Sequence, residues 1–394
     1  MNGSCEERAF TEKLCSVKGL NGSVGLSLID YFGSAEEVFK ADDKTLAKLL
    51  PPALSTHLQK TKNAESATYP EHTGDDKNRI NFITIHDPGY PKKLLDIPDA
   101  PLGLWYIGEL PKAELPSVAV IGARECSQYG EHIAKDLGKS LAKAGVQVIS
   151  GMARGIDGIS QQAAADEGGR SFGVLGSGVD ICYPPSNRKL YDSLKICGGI
   201  ISIYPPGEPA IAHNFPPRNR RVSGLSDAVI VIEARQKSGT LITVDMALEQ
   251  GREVYAVPGR ITDRLSDGCN GLIGQGASVF LSPDIFLAEL SELIASQKNG
   301  SPAPERETRI KRASLSKRIT DLHRKYQGGS DLPPGLDEEA AKVLSRLDLS
   351  PKSAQDIIDK LDGYDYPSVS MILMQLIIDG YAEQVGQGNF VRKY

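Results

Sequence analysis

Residues 117–124 read SVAVIGAR, an almost unbroken apolar run that ends in glycine and then a cation. A run without polar alternation marks a strand buried on both faces. The pattern returns at VQVIS (146–150), SFGVLG (171–176), GIISIY (199–204), DAVIVIE (227–233) and EVYAV (253–257), with a shorter SVFL at 278–281. Stretches of helical period, such as 129–144 and 158–167, fill the intervals. Strand, glycine turn and helix in repetition predict an α/β fold, a doubly wound parallel Rossmann-like sheet, over residues 117–293.

The flanks read differently. Residues 1–66 predict short helices, with Leu20-Asn-Gly-Ser-Val-Gly25 as the turn of a helical hairpin and Gly33 closing the next helix. This is similar to a helix-hairpin-helix or SAM-like domain. Such hairpins hold a phosphate on backbone N–H groups or merely join two helices, and the motif is too loose to choose. Residues 67–116 read as a polar linker and two lead-in strands, INFITI and LGLWYIG, framing the next domain. Residues 294–336 form a second linker. Between 301 and 330 it carries eight Lys or Arg against three acids, which reads as a solvated tether or a DNA-gathering arm. Residues 337–394 predict three helices and a terminal hairpin, the order of a winged helix. Its third helix has no Lys or Arg from Pro367 to Asp379, whereas a reader of duplex DNA needs cations there. That module reads as protein-binding or as a degenerate DNA module.

Composition narrows the function. The chain of 394 residues has a net charge of −5, so any anion site must be local. Six cysteines without a C-x-x-C pair and six scattered histidines argue against zinc and for a reduced cytosolic protein. The start, MNGSCEERAF, lacks the apolar segment of a signal peptide, and no stretch approaches the roughly 18 apolar residues of a membrane span.

In open parallel sheets, ligands sit beyond the carboxyl ends of the strands. Those ends carry Gly122-Ala-Arg124, Ser150-Gly151-Met-Ala-Arg154-Gly-Ile-Asp157, Gly176-Ser177-Gly178 and Glu233-Ala-Arg235-Gln-Lys237-Ser238-Gly239-Thr240. Glycines, hydroxyls and cations at helix starts make a phosphate site. Gly122-Ala-Arg124-Glu-Cys-Ser127 breaks the dinucleotide fingerprint, because Arg124 stands where the second glycine belongs. The chain has neither a P-loop nor a G-x-S-x-G elbow, so no cofactor is expected. Asp157 reads as a helix cap or a partner of Arg154 rather than a base. Arg218, Arg220 and Arg221 crowd a helix start in NFPPRNRRVSGLS (214–226), where the helix already carries positive charge, so a negative ligand is expected there. Tyr183, Tyr204 and Phe215 each precede two prolines, which hold their rings stiffly. Rings beside cations are the stacking platforms of single-strand binders, or else plugs at the end of the sheet.

Taken together, VAVIGAR (118–124), SGMARGID (150–157), VLGSGVDICYPPSN (174–187), FPPRNRRVSGLS (215–226), VIEARQKSGTLITVDMALEQGREVYAVPG (231–259) and GCNGLIGQGA (268–277) resemble the DprA/Smf family, the DNA-processing proteins of natural transformation. The resemblance spans about residues 80–290. It implies a cytosolic, non-enzymatic protein that binds and shields single-stranded DNA, helps load the RecA recombinase, and forms a homodimer through its Rossmann-like core. It also implies a DNA pocket at Arg124, Arg218, Asn219, Arg220 and Lys237. With the strand-end residues Ser150, Gly151, Arg154, Ser177, Phe215, Ser238 and Gly239, these form the candidate DNA-binding set. Two rival readings use the same edge, a nucleotide sensor and a LOG-like nucleotide phosphoribohydrolase. The hydrolase pattern P-G-G-x-G-T-x-x-E meets Arg235 to Thr243 here, and a threonine cannot do the carboxylate's work.

Overall fold

The computed structural model describes residues 5–63, 78–298, 336–347, 352–361, 363–379, 381–384 and 389–392. The chain divides into two compact units, residues 1–306 and 307–394. The basic segment between 301 and 330 and the linker at 67–77 lie outside the described residues.

The first unit opens with helices α1 (Cys5–Cys15), α2 (Gly22–Phe32), α3 (Ala35–Lys40), α4 (Asp43–Leu49) and α5 (Pro52–Asn63). Leu14, Leu28, Val38, Leu46 and Leu58 form their common core, and Leu102 joins it from the next segment. Asn21 caps α2 by accepting the Val24 N–H at 2.8 Å, and Gly33 ends it at φ +96°. The hairpin turn is committed to packing. Asp99 accepts the Ser23 N–H at 3.1 Å, and a Cβ on Gly22 would overlap the Ala100 carbonyl. The Ser23 and Val24 N–H groups at this helix start are therefore already spent within the protein.

The sheet is α/β and doubly wound. Its strands are β1 (Ile80–Thr84), β2 (Gly103–Gly108), β3 (Ser117–Gly122), β4 (Gln147–Ser150), β5 (Ser171–Leu175), β6 (Gly198–Ser202), β7 (Ala228–Ile232), β8 (Glu253–Ala256) and β9 (Ser278–Val279). They lie in the order β1-β2-β6-β5-β4-β3-β7-β8-β9. From β6 to β9 all neighbours are parallel, while β2 pairs antiparallel with β6 and β1 with β2. The lead-in strands thus extend the sheet itself, and the boundary expected at residue 117 falls inside it.

Helices α6 (Gln128–Lys143), α7 (Ile156–Asp166), α8 (Arg188–Cys197), α9 (Phe215–Gly224), α10 (Gly239–Glu249), α11 (Asp267–Gly274) and α12 (Pro283–Lys298) cover both faces. The pleat decides which side chain goes where. Val118 and Val120 of β3 pack with Leu137 of α6, Ala164 of α7 and Phe286 of α12. Ala119 and Ile121 turn to the opposite layer, with Val222 of α9, Val244 of α10 and Leu272 of α11. The chain builds outward from β3 to β6 and then returns to place β7 on the other side of β3. The strand order therefore reverses between β3 and β7, where open sheets hold ligands.

The second unit contains α13 (Glu338–Arg346), β10 (Lys352–Ser353), α14 (Ala354–Ile358), α15 (Tyr366–Ile378), β11 (Ala382–Gln384) and β12 (Asn389–Arg392), with the strands ordered β10-β12-β11. Val343, Leu344, Ile357, Val369, Leu373 and Leu376 make its core. The cation-free α15 leaves Tyr366, Met371 and Met374 exposed. Among the described residues no helix is long and apolar enough to cross a membrane.

Candidate functional site

The loop after β3 is gripped from two sides. Thr240, in the first turn of α10, donates its hydroxyl to the Gly122 carbonyl at 3.1 Å. Ile156 N–H, opening α7, donates to the Ala123 carbonyl at 3.1 Å. Gly155 sits at φ +72°, and a Cβ there would overlap the carbonyls of Ala123 and Arg124. These contacts fix the backbone of Arg124 and leave its side chain exposed.

Beside it, between the ends of β4 and β5 and the start of α9, lies an open cleft of about 60 Å³. Arg124, Gly151, Ala153, Arg154, Leu175, Gly176, Ser177, Tyr183, Pro184, Phe215 and Arg218 line it. Phe215 is its aromatic wall. The guanidinium carbons of Arg124 and Arg218 stand 5.8 Å and 5.5 Å from its ring centroid, and the Tyr183 ring is 5.8 Å away. Cations held over a ring are attracted by its quadrupole and keep their outer donors for another group. Asn187 ties the Tyr183 loop to the Arg154 loop by donating its amide to the carbonyls of Met152 and Ala153, both at 3.0 Å.

Two prolines in the first turn of α9 set its direction, and Arg218 follows one residue later. Arg218 is only 5% exposed; it donates to the Val174 carbonyl at 3.2 Å, and its Nε has no partner among the described residues. Gly151 makes room for it, since a Cβ there would overlap the guanidinium. The balancing charge is Asp157, itself buried, which accepts the Gly151 N–H at 3.1 Å. Burial pushes the Asp157 carboxyl above its ordinary value and Arg218 below its own, each opposed by attraction to the other. Asp157 therefore partners Arg218 rather than Arg154. Arg124 and Arg154 remain as the exposed cations at the cleft.

On the other flank of Arg124, α10 begins without a side-chain cap. The Ser238 hydroxyl is buried and has no partner among the described residues, and a Cβ on Gly239 would meet open space. Arg235 and Lys237 are exposed just before it. An uncapped helix start beside two cations is equipped to receive an anionic oxygen.

The structure does not unite every residue expected at the site. Ser150 is fully buried and spends its hydroxyl on the Val120 carbonyl at 2.6 Å. Arg220 turns to Glu249, at 3.1 Å, near the far end of α10. The axis of that helix carries it about 15 Å from the Lys237 end. Arg221 is 2% exposed, bonded to the Asp99 carboxylate at 2.9 Å and to the Pro217 carbonyl at 3.0 Å. Asn219 is half-buried and does not line the cleft. The three-arginine cluster thus splits, with Arg218 alone at the cleft. Tyr204 also departs from the expected ring set: its hydroxyl donates to the Asn214 carbonyl at 3.1 Å, and burial pushes it up to about 12. It supports the turn below Phe215. Asn187 and the Asp157–Arg218 pairing escaped sequence reading; the YPPSN, SGMARGID and FPPRNRR motifs contain these residues but do not reveal which partners they choose.

Residues 81–291 match the family described as DNA recombination-mediator protein A. DNA processing protein DprA of Streptococcus pneumoniae is 41% identical over 218 residues, 55% of this chain and 77% of the relative. Protein Smf of Synechocystis is 34% identical over 310 residues, 77% of this chain and 78% of the relative. The X-ray structure of DNA processing protein A from Streptococcus pneumoniae superposes with a TM-score of 0.62 at 34% identity, over 71% of this chain and 97% of that one. A family match across more than half of the chain, with a relative aligned along most of both lengths, makes this chain a member of the DprA/Smf family of DNA-processing proteins.

Proposed function

We propose that the chain binds and shields single-stranded DNA along the carboxyl edge of its sheet, without cleaving it. The observation that carries this reading is the Phe215 ring flanked by the guanidinium groups of Arg124 and Arg218, with Arg154 beside them and Lys237 and Ser238 across the β3 loop. Phosphates meet the cations, and unstacked bases reach the rings of Phe215 and Tyr183, which the paired bases of a duplex do not do. At about 60 Å³ the cleft is far smaller than the roughly 300–1,000 Å³ of a site that encloses a small molecule, which argues against a nucleotide sensor. Asp157 is committed to Arg218, and Thr243 occupies the position of the hydrolase glutamate, so neither supplies the general base that hydrolysis needs.

The family's description as a recombination mediator supports the further reading that the chain hands its strand to the RecA recombinase in the cytoplasm during DNA uptake. The exposed apolar side chains of Val279 and Leu281 at the β9 edge support a homodimer through the Rossmann-like core. The test of binding is electrophoretic mobility of single-stranded and duplex oligonucleotides of one sequence, with Arg124→Ala and Lys237→Ala variants. Retardation of the single strand in preference to duplex, weakened in both variants and undisturbed by mononucleotide, is expected. Stoichiometric displacement by a mononucleotide, or release of free base, would replace this reading with the sensor or the hydrolase.

A further inference from the structure

Glu233 directly follows β7 and is 2% exposed. Its φ is +56°, a left-handed conformation that is strained for a residue with a side chain and persists only where the surroundings over-determine it. Those surroundings are specific. The Ser127 N–H donates to Glu233 Oε2 at 2.8 Å, and the Ser127 hydroxyl donates to Oε1. The same hydroxyl accepts the Gly130 N–H at 3.1 Å and so caps α6. Gly130 is pressed against the carboxylate, since a Cβ there would overlap Oε2. A negative charge at this helix start is well placed.

On its other side, the chain is pinned immediately. Ala234 N–H donates to the Leu265 carbonyl, and Gly268 N–H donates to the Ala234 carbonyl, both at 2.7 Å. Arg235, Lys237 and Ser238 follow before α10. Glu233 therefore connects the two loops that flank the reversal of strand order: 122–127, which carries Arg124, and 234–238, which carries Lys237. We propose that Glu233 is a positioning residue for the DNA edge, setting where Arg124 stands relative to Lys237. This deepens the DNA-binding reading and rests on it. Burying a carboxylate in a strained conformation is unrewarding for packing alone, whereas a rigid bridge between two cationic loops aligns them for successive phosphates.

The experiment is a double-mutant cycle between Glu233→Ala and Arg124→Ala, read by fluorescence anisotropy on a labelled single-stranded oligonucleotide, with thermal melting as a check on folding. Glu233→Ala is expected to weaken binding about tenfold, the scale of one charged contact. The double variant should be no weaker than Arg124→Ala by more than about twofold, because both changes remove the same contribution. Glu233→Gln, whose amide still accepts from Ser127 N–H and donates to its hydroxyl, should restore most of the loss. If Glu233→Ala does not fold, Ser127→Ala breaks the same bridge from the opposite side and enters the same cycle. Additive losses, or full affinity in Glu233→Ala, would overturn the positioning role. An Arg124→Ala variant with native affinity would instead sink the underlying DNA-binding reading.

Discussion

At the scale of single residues, the site turns on which cations are free and which are spent. Arg124 and Arg154 are exposed, whereas Arg218 is buried against Asp157. Replacing Asp157 by Asn should release the charge of Arg218 toward the cleft. Single-strand binding should tighten and its log–log salt slope steepen by about 0.7. Stability should not fall, because burial raises the Asp157 carboxyl so that the folded state already favours its neutral form, and Asn still accepts the Gly151 N–H. A binding titration across salt, paired with denaturant unfolding, checks both directions. The pH dependence has a definite sign. The Asp157 carboxyl is raised above its ordinary 3.8, so acidification protonates it and removes a negative charge from an anion site. Wild-type affinity should therefore rise as pH falls toward that range, and Asp157→Asn should lack this rise. The raised value also means that the carboxyl favours the folded state below 3.8 and loses that contribution as pH climbs through the folded value.

At the scale of elements, the N-terminal hairpin is a packing device rather than a second anion site. Gly22→Ala pushes a methyl into the Ala100 carbonyl and should cost about 1–3 kcal/mol. Thermal melting should register that loss while DNA affinity holds; an affinity loss without a stability loss would return the hairpin to the binding surface. What could be read in advance follows the physics of each element. The central strands were legible because burial on both faces leaves a run such as SVAVIG with no polar interruption. For β1 and β2, alternation marked strands but could not name their partners, and pairing with β6 is a long-range choice. The arginine cluster was legible as a cluster but not as a direction. Arg218 and Arg220 are two positions apart on α9, so they leave the helix on different sides. Arg218 and Arg221 share a side roughly, yet one reaches Val174 and the other Asp99. Glu233 was visible at the head of a strand-end stretch, while its bridge to Ser127 spans 106 positions, beyond local pattern.

At the scale of the molecule, the first unit brings a charge-neutralised floor, a ring wall and exposed cations to the edge where the strand order reverses. A net charge of −5 makes that placement decisive, because a globally acidic chain attracts a polyanion only through a local trough. The placement also separates Arg124 and Lys237, which border the trough, from Arg220, which is paired with Glu249 at the far end of α10. The most direct measurement is the salt dependence of single-strand affinity for the wild type and the Arg124→Ala, Lys237→Ala and Arg220→Ala variants. The log–log slope should flatten by about 0.7 in each of the first two and stay unchanged in the third. Unaltered slopes in Arg124→Ala and Lys237→Ala, or an equal flattening in Arg220→Ala, would rule out the strand-reversal edge as the DNA trough.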